Sequence, residues 1–166
     1  MNDFLEIMER TVEPAYSNSL SKPLVLVADD EPSILQYSEH VLRLANYRVI
    51  TVTTVEEACK IFERQQPEIE LVLTDIVMPG SVDGMDLAEK IRQIDPSLPV
   101  SFITGALSES DPRTALMVEE QQVLRKPFFP QQLVDFVGAQ LDKQSPSGLA
   151  RQLHRPRPRR CQAERR

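Results

Sequence analysis

Cysteine is nearly absent from this chain of 166 residues. The two that occur, Cys59 and Cys161, stand far apart with no His or second Cys at metal-ligand spacing, which excludes a disulfide framework and a zinc site. Both are expected to be reduced thiols. Long apolar runs are missing too: stretches such as Leu24–Ala28 and Leu71–Leu73 fall far short of the roughly 20 residues that a membrane-spanning helix needs. The N-terminal MNDFLEIMER places acids where a secretory signal carries positive charge, and no small-residue cleavage site follows an apolar stretch. A cytoplasmic address is the expectation. No internal repeat and no EF-hand loop is visible.

What is present suits one folded unit with modest additions, since the chain is 41% hydrophobic and 27% charged. The formal net charge of -6 conceals a division. Residues 1–142 carry 11 Lys and Arg against 24 Asp and Glu, a balance of -13, whereas residues 143–166 carry 8 against 1, a balance of +7. The acidic body repels nucleic acid, so no specific DNA binding is expected, and any phosphate contact would come from the tail and fade with salt.

From Leu24 to Leu141, short β-rich runs alternate with helical patterns, as in βα units on a parallel sheet. The expected strands are 24–28, 47–53, 69–75, 100–104 and 122–124. The first and third are apolar on both faces and read as central strands. Helical spacing links Ile34, Val41 and Ala45; Val55, Cys59 and Phe62; Leu87, Ile91 and Ile94; and Phe129, Leu133, Phe136, Val137 and Leu141. Residues 107–120 supply the remaining helix, fourth of five. Thr54 with Glu57 reads as a capping box, and Pro32 follows Asp30 and Glu31 at the entry to the first helix. Residues 1–22 form an extension whose Phe4, Leu5, Met8 and Val12 share one helical face. Residues 143–166, rich in Pro and Arg, offer little to bury and are expected to be disordered. No helix-turn-helix pattern follows the βα block.

In open α/β sheets, ligands bind at the carboxyl ends of the strands. Here those ends are polar: Asp29 and Asp30 after the first strand, Asp75 at the third, Thr104 at the fourth and Lys126 past the fifth. Singly, each has an ordinary explanation as a helix cap or a loop residue. Together, three carboxylates at one sheet edge repel each other unless a cation sits among them. Oxygen ligands with retained waters suit Mg2+.

The segments VLVADDEPSI, LTDIVMPG, FITGA and LRKPF, in this order and spacing, resemble the receiver domain of two-component response regulators over residues 23–142. The resemblance implies a doubly wound (βα)5 sheet of flavodoxin-like order 2-1-3-4-5. It implies that Asp75 accepts a phosphoryl group from a histidine kinase or phosphotransfer protein. Asp29, Asp30, Asp75 and the backbone carbonyl of Val77 would hold Mg2+, with Thr104 and Lys126 contacting phosphoryl oxygens and a cis peptide preceding Pro127. Output would pass to a downstream protein partner through the fourth expected helix, the fifth strand and the fifth helix. Phosphorylation-dependent homodimerisation through that face is a further expectation.

Some positions depart from the family pattern. Val123 replaces the usual Tyr or Phe three residues before the lysine, which puts the aromatic switch in doubt; its ordinary reading is packing. The loop GSVDG is one residue longer than the commonest form, a likeness to receivers attached to hybrid kinases. Val77 and Ala106 cannot orient an attacking water, so slow self-dephosphorylation is expected. An aspartyl-nucleophile phosphatase would need a second Asp where Val77 stands. A phosphorylation-independent receiver-like interaction module is the alternative, and the intact set Asp29, Asp30, Asp75, Thr104 and Lys126 speaks against it.

Overall fold

The runs that are apolar on both faces become the middle of the sheet. In a computed structural model that describes residues 22–66, 68–105 and 122–143, the chain order is β1 (Leu24–Ala28), α1 (Pro32–Leu44), β2 (Arg48–Val52), α2 (Val55–Gln65), β3 (Ile69–Thr74), α3 (Gly84–Ile94), β4 (Val100–Thr104), β5 (Val123–Arg125) and α4 (Pro130–Asp142). All pairings are parallel, and the sheet order is β2-β1-β3-β4-β5, as expected. Every residue of β1 and β4 is buried, and all of β3 but Glu70. The expected N-terminal helix, Ala106, the helix over 107–120 and the tail beyond Lys143 lie outside the described residues.

Helices cover both faces. On one, α2 and α3 pack Ala58, Phe62, Leu87 and Ile91 against Leu24, Leu26, Val72 and Phe102. On the other, α1 and α4 pack Leu35, Leu42, Leu133 and Val137 against Val25, Val27, Leu71 and Ile103. Alternate residues of β1 feed opposite cores, as period-2 side-chain geometry requires, and β3 does the same from Leu71 onward, past an irregularity in its pairing at Glu70. Phe62 and Phe102 are among the largest fully buried side chains. Truncating either to Ala removes contacts worth about 3–5 kcal/mol.

The buried helical stripes differ in detail from the periodicity. Helix α1 buries Leu35, Ser38, Val41 and Leu42, leaving Ile34 and Ala45 only half-buried. In α2, Ala58 is fully inside and the free thiol of Cys59 half-buried. Ile94 and Phe129 are exposed, because each sits at a helix end beyond the sheet's reach. Thr54 caps α2 by accepting from the Glu57 N–H at 3.2 Å, one half of the expected box. The complete reciprocal box belongs to α3: Asp83 Oδ1 accepts from the N–H groups of Met85 and Asp86, and Asp86 Oδ2 accepts from the Asp83 N–H.

Candidate functional site

The parallel ladders deliver the polar residues to one edge. Past the last regular strand residue, Asp29 N–H donates to Val52 O at 3.1 Å, Asp75 N–H to Ala28 O at 2.8 Å, and Lys126 N–H to Thr104 O at 2.9 Å. Asp29, Asp75 and Lys126 therefore ride on the final rungs of the sheet, a rigid platform for charged groups. Their side chains converge. Lys126 Nζ lies 2.8 Å from Asp29 Oδ2, 2.6 Å from Asp75 Oδ2 and 3.1 Å from Glu31 Oε1. The Lys126–Pro127 peptide is cis, as the resemblance implied.

Burial makes the cluster electrostatically tense. The Asp29 side chain is 2% exposed, Asp75 8% and Lys126 12%. Desolvation pushes the Asp29 carboxyl above its ordinary pKa, against the hydrogen bonds from Lys126 and the Glu31 N–H and the attraction of the ammonium. Desolvation also works against the charge of Lys126, but the bonds it donates to Asp29, Asp75 and Glu31 outweigh it and hold the ammonium protonated beyond the usual lysine range.

The turn after β3 is built around Asp75. Its Oδ1 accepts from the Val77 N–H at 3.0 Å, leaving Oδ2 to Lys126. Thr74 Oγ1 donates to the Asp75 carbonyl at 3.0 Å. The chain then returns so closely that Gly84, the first residue of α3, admits no Cβ: one would stand 1.8 Å from the Asp75 carbonyl oxygen. Glycine there is a packing requirement.

Of the residues singled out in the sequence, Asp29, Asp30 and Asp75 offer carboxylate oxygens within 4.8 Å of one another, with Asp30 exposed. Thr104 ends β4 with 1% exposure. Val77 is 60% exposed, and its backbone N–H is what reaches Asp75. Val123 packs, half-buried, against the core beneath α2 and α3. Sequence reasoning overlooked Glu31 as a partner of Lys126, although the acidic run Asp29-Asp30-Glu31 was legible. It overlooked Tyr37, whose hydroxyl donates to Phe128 O at 3.4 Å and whose ring lies 5.8 Å from that of Phe128. No pattern marks that pair.

Three clustered carboxylates, two of them buried and served by a single ammonium, form a donor set suited to a hard divalent cation. Charge neutralisation by such an ion relieves the repulsion that burial imposes.

Comparison with known proteins agrees with this architecture. The family model described as response regulator receiver domain matches residues 25–138. Among curated proteins, the regulatory protein VanR of Enterococcus faecium is 34% identical over 117 residues, covering 70% of this chain and 49% of that protein. The alkaline phosphatase synthesis transcriptional regulatory protein PhoP of Bacillus subtilis is 31% identical, covering 66% and 44%. Among solved structures, a response regulator receiver domain protein from Clostridium thermocellum superposes with a TM-score of 0.63 at 30% identity, covering 74% of this chain and 96% of that one. The chain belongs to the receiver domain family of two-component response regulators. It spans about half the length of the curated relatives it matches. Among the described residues, no helix is long and apolar enough to cross a membrane.

Proposed function

We propose that this chain is a phosphorylation-dependent switch whose receiver occupies residues 23–142 and takes a phosphoryl group on Asp75 from a histidine kinase or phosphotransfer protein. The observation that carries the reading is the placement of Lys126 Nζ, 2.6 Å from Asp75 and 2.8 Å from Asp29, within a cluster of three carboxylates at the carboxyl edge of the sheet. A nucleophile, a neutralising cation and metal-suited oxygens stand together, and phosphoryl transfer asks little more of a protein than this positioning.

In this mechanism the Asp75 carboxylate attacks phosphorus as the phosphorus–nitrogen bond of phosphohistidine breaks and the imidazole keeps the electron pair. Asp29, Asp30, Asp75 and the Val77 carbonyl would hold Mg2+, which when bound would supply charge neutralisation for phosphoryl transfer. Lys126 exchanges one carboxylate bond for a phosphoryl oxygen, and the Thr104 hydroxyl donates to another. The added charge biases a two-state surface that includes β5 and α4, which a downstream protein or a second copy of the chain reads. With Val77 beside the acceptor, no side chain at that position activates water, and the acyl phosphate is long-lived.

The test is intact mass after incubation with acetyl phosphate or phosphoramidate, with Mg2+ or a chelator. A single phosphoryl adduct in the wild type, absent in Asp75→Asn and absent with chelator, is expected. Equal modification of Asp75→Asn would overturn the assignment.

A further inference from the structure

Glu31 belongs to the Lys126 network but has no part in the proposed chemistry. Its Oε1 lies 3.1 Å from Lys126 Nζ while its side chain is 57% exposed, so it stands at the mouth of the site, with Asp29 and Asp75 on the floor. Its backbone N–H donates to Asp29 Oδ1 at 2.9 Å, which ties it to that pair. Formally, Asp29, Asp30, Glu31 and Asp75 set four negative charges against the one ammonium, a balance of -3. Two charges from a metal would still leave the entrance negative, and only without Glu31 would the balance reach zero.

We infer that Glu31 is a charge gate that makes the site discriminate against small anionic phosphodonors. It acts through Lys126, holding part of the ammonium's bonding away from an incoming phosphoryl group, and it adds repulsion that grows with the donor's charge. A protein donor offsets this repulsion with binding energy from surfaces remote from the phosphoryl group. A free anion has no such reserve. The inference rests on the proposed phosphoacceptor reading and adds donor selectivity to it.

The experiment compares two donors that transfer to the same oxygen. Acetyl phosphate is a dianion near neutral pH and releases acetate as its phosphorus–oxygen bond breaks. Phosphoramidate is a monoanion whose nitrogen already carries the proton it needs, and it releases neutral ammonia as its phosphorus–nitrogen bond breaks. Initial rates of adduct formation are measured at saturating Mg2+ and low salt for wild type, Glu31→Gln and Glu68→Gln; the last removes one charge at the opposite edge of the sheet. Glu31→Gln should raise the acetyl phosphate rate roughly three- to tenfold. The phosphoramidate gain should be smaller, and both gains should shrink as salt rises. Glu68→Gln should change neither rate. Equal gains with both donors, no gain, or a loss would overturn the gate while leaving the phosphoacceptor reading intact. No adduct in the wild type with either donor would overturn both.

Discussion

Among the described residues, ion pairs of the same length stand at opposite ends of the sheet. Near the amino edge, Arg48 at the start of β2 reaches Glu68 just before β3 at 2.8 Å, with side chains 46% and 57% exposed. At the carboxyl edge, Lys126 meets Asp29 at the same distance, but both groups are nearly buried and further carboxylates crowd the ammonium. Distance is equal and consequence is not. The exposed pair exchanges water for a partner at almost no net gain. In the buried cluster, desolvation outweighs the ammonium's attraction at Asp29 and raises its pKa, whereas at Lys126 the bonds to the carboxylates outweigh desolvation.

The contrast can be broken most sharply at Asp75 itself, where substitution by Asn should abolish phosphoryl uptake altogether. Next comes Gly84→Ala, which drives a methyl group into the Asp75 backbone. We expect a loss of about 3 kcal/mol or more in urea unfolding, comparable to severe overpacking; a loss under about 1 kcal/mol would show that the turn yields easily.

Lys126→Met should follow, at about 3 kcal/mol in the presence of chelator, because Asp29 and Asp75 lose their counter-charge. Added Mg2+ should recover part of that loss. Equal stability with and without the ion would argue that the carboxylates do not depend on a cation.

The pH dependence of Asp29 sharpens the comparison further. A carboxyl raised by burial holds its proton longer in the folded state than in the unfolded chain. Its stabilising contribution is complete below the ordinary value of 3.8 and is lost as pH rises through its higher folded value. Without metal, Asp29→Asn should therefore gain on the wild type as pH climbs above 3.8, then run parallel to it. With Mg2+ the order should reverse near neutrality. A pH-independent difference in unfolding free energy would sink this account. Lys126 is also raised, so its contribution is full below the ordinary lysine value of 10.5 and declines only in stronger alkali.

The smallest effect belongs to the exposed pair. A double-mutant cycle with Arg48→Ala and Glu68→Ala should give a coupling below about 0.5 kcal/mol that disappears at high salt. A coupling above about 2 kcal/mol would erase the distinction between the two edges.

Much of this was legible before any coordinates. Leu24–Ala28, the run ending at Thr74, and Val100–Thr104 are strands where apolar composition placed them, and Asp29, Asp75, Thr104 and Lys126 follow or end strands as read. Strand β5 is shifted by one residue, to Val123–Arg125, because a short edge strand has only one neighbour to set its limits. The α1 stripe moved to Leu35, Ser38 and Leu42 because packing against the sheet and α4, invisible in a 3.6-residue period, decides which face turns inward. Ser38, polar and fully buried, could not have been chosen by hydrophobicity.

The order of strands and helices, the clustering of acids at strand ends and the family were determined by the sequence alone, because alternation, run length and motif spacing are local properties of the chain. Tertiary structure decided the rest. The convergence of Glu31 on Lys126, the burial that lifts Asp29, and the clearance that only a glycine at position 84 satisfies all depend on ladders joining distant residues. Charge in a protein acts through distance and solvent exposure, and neither exists until the chain has folded.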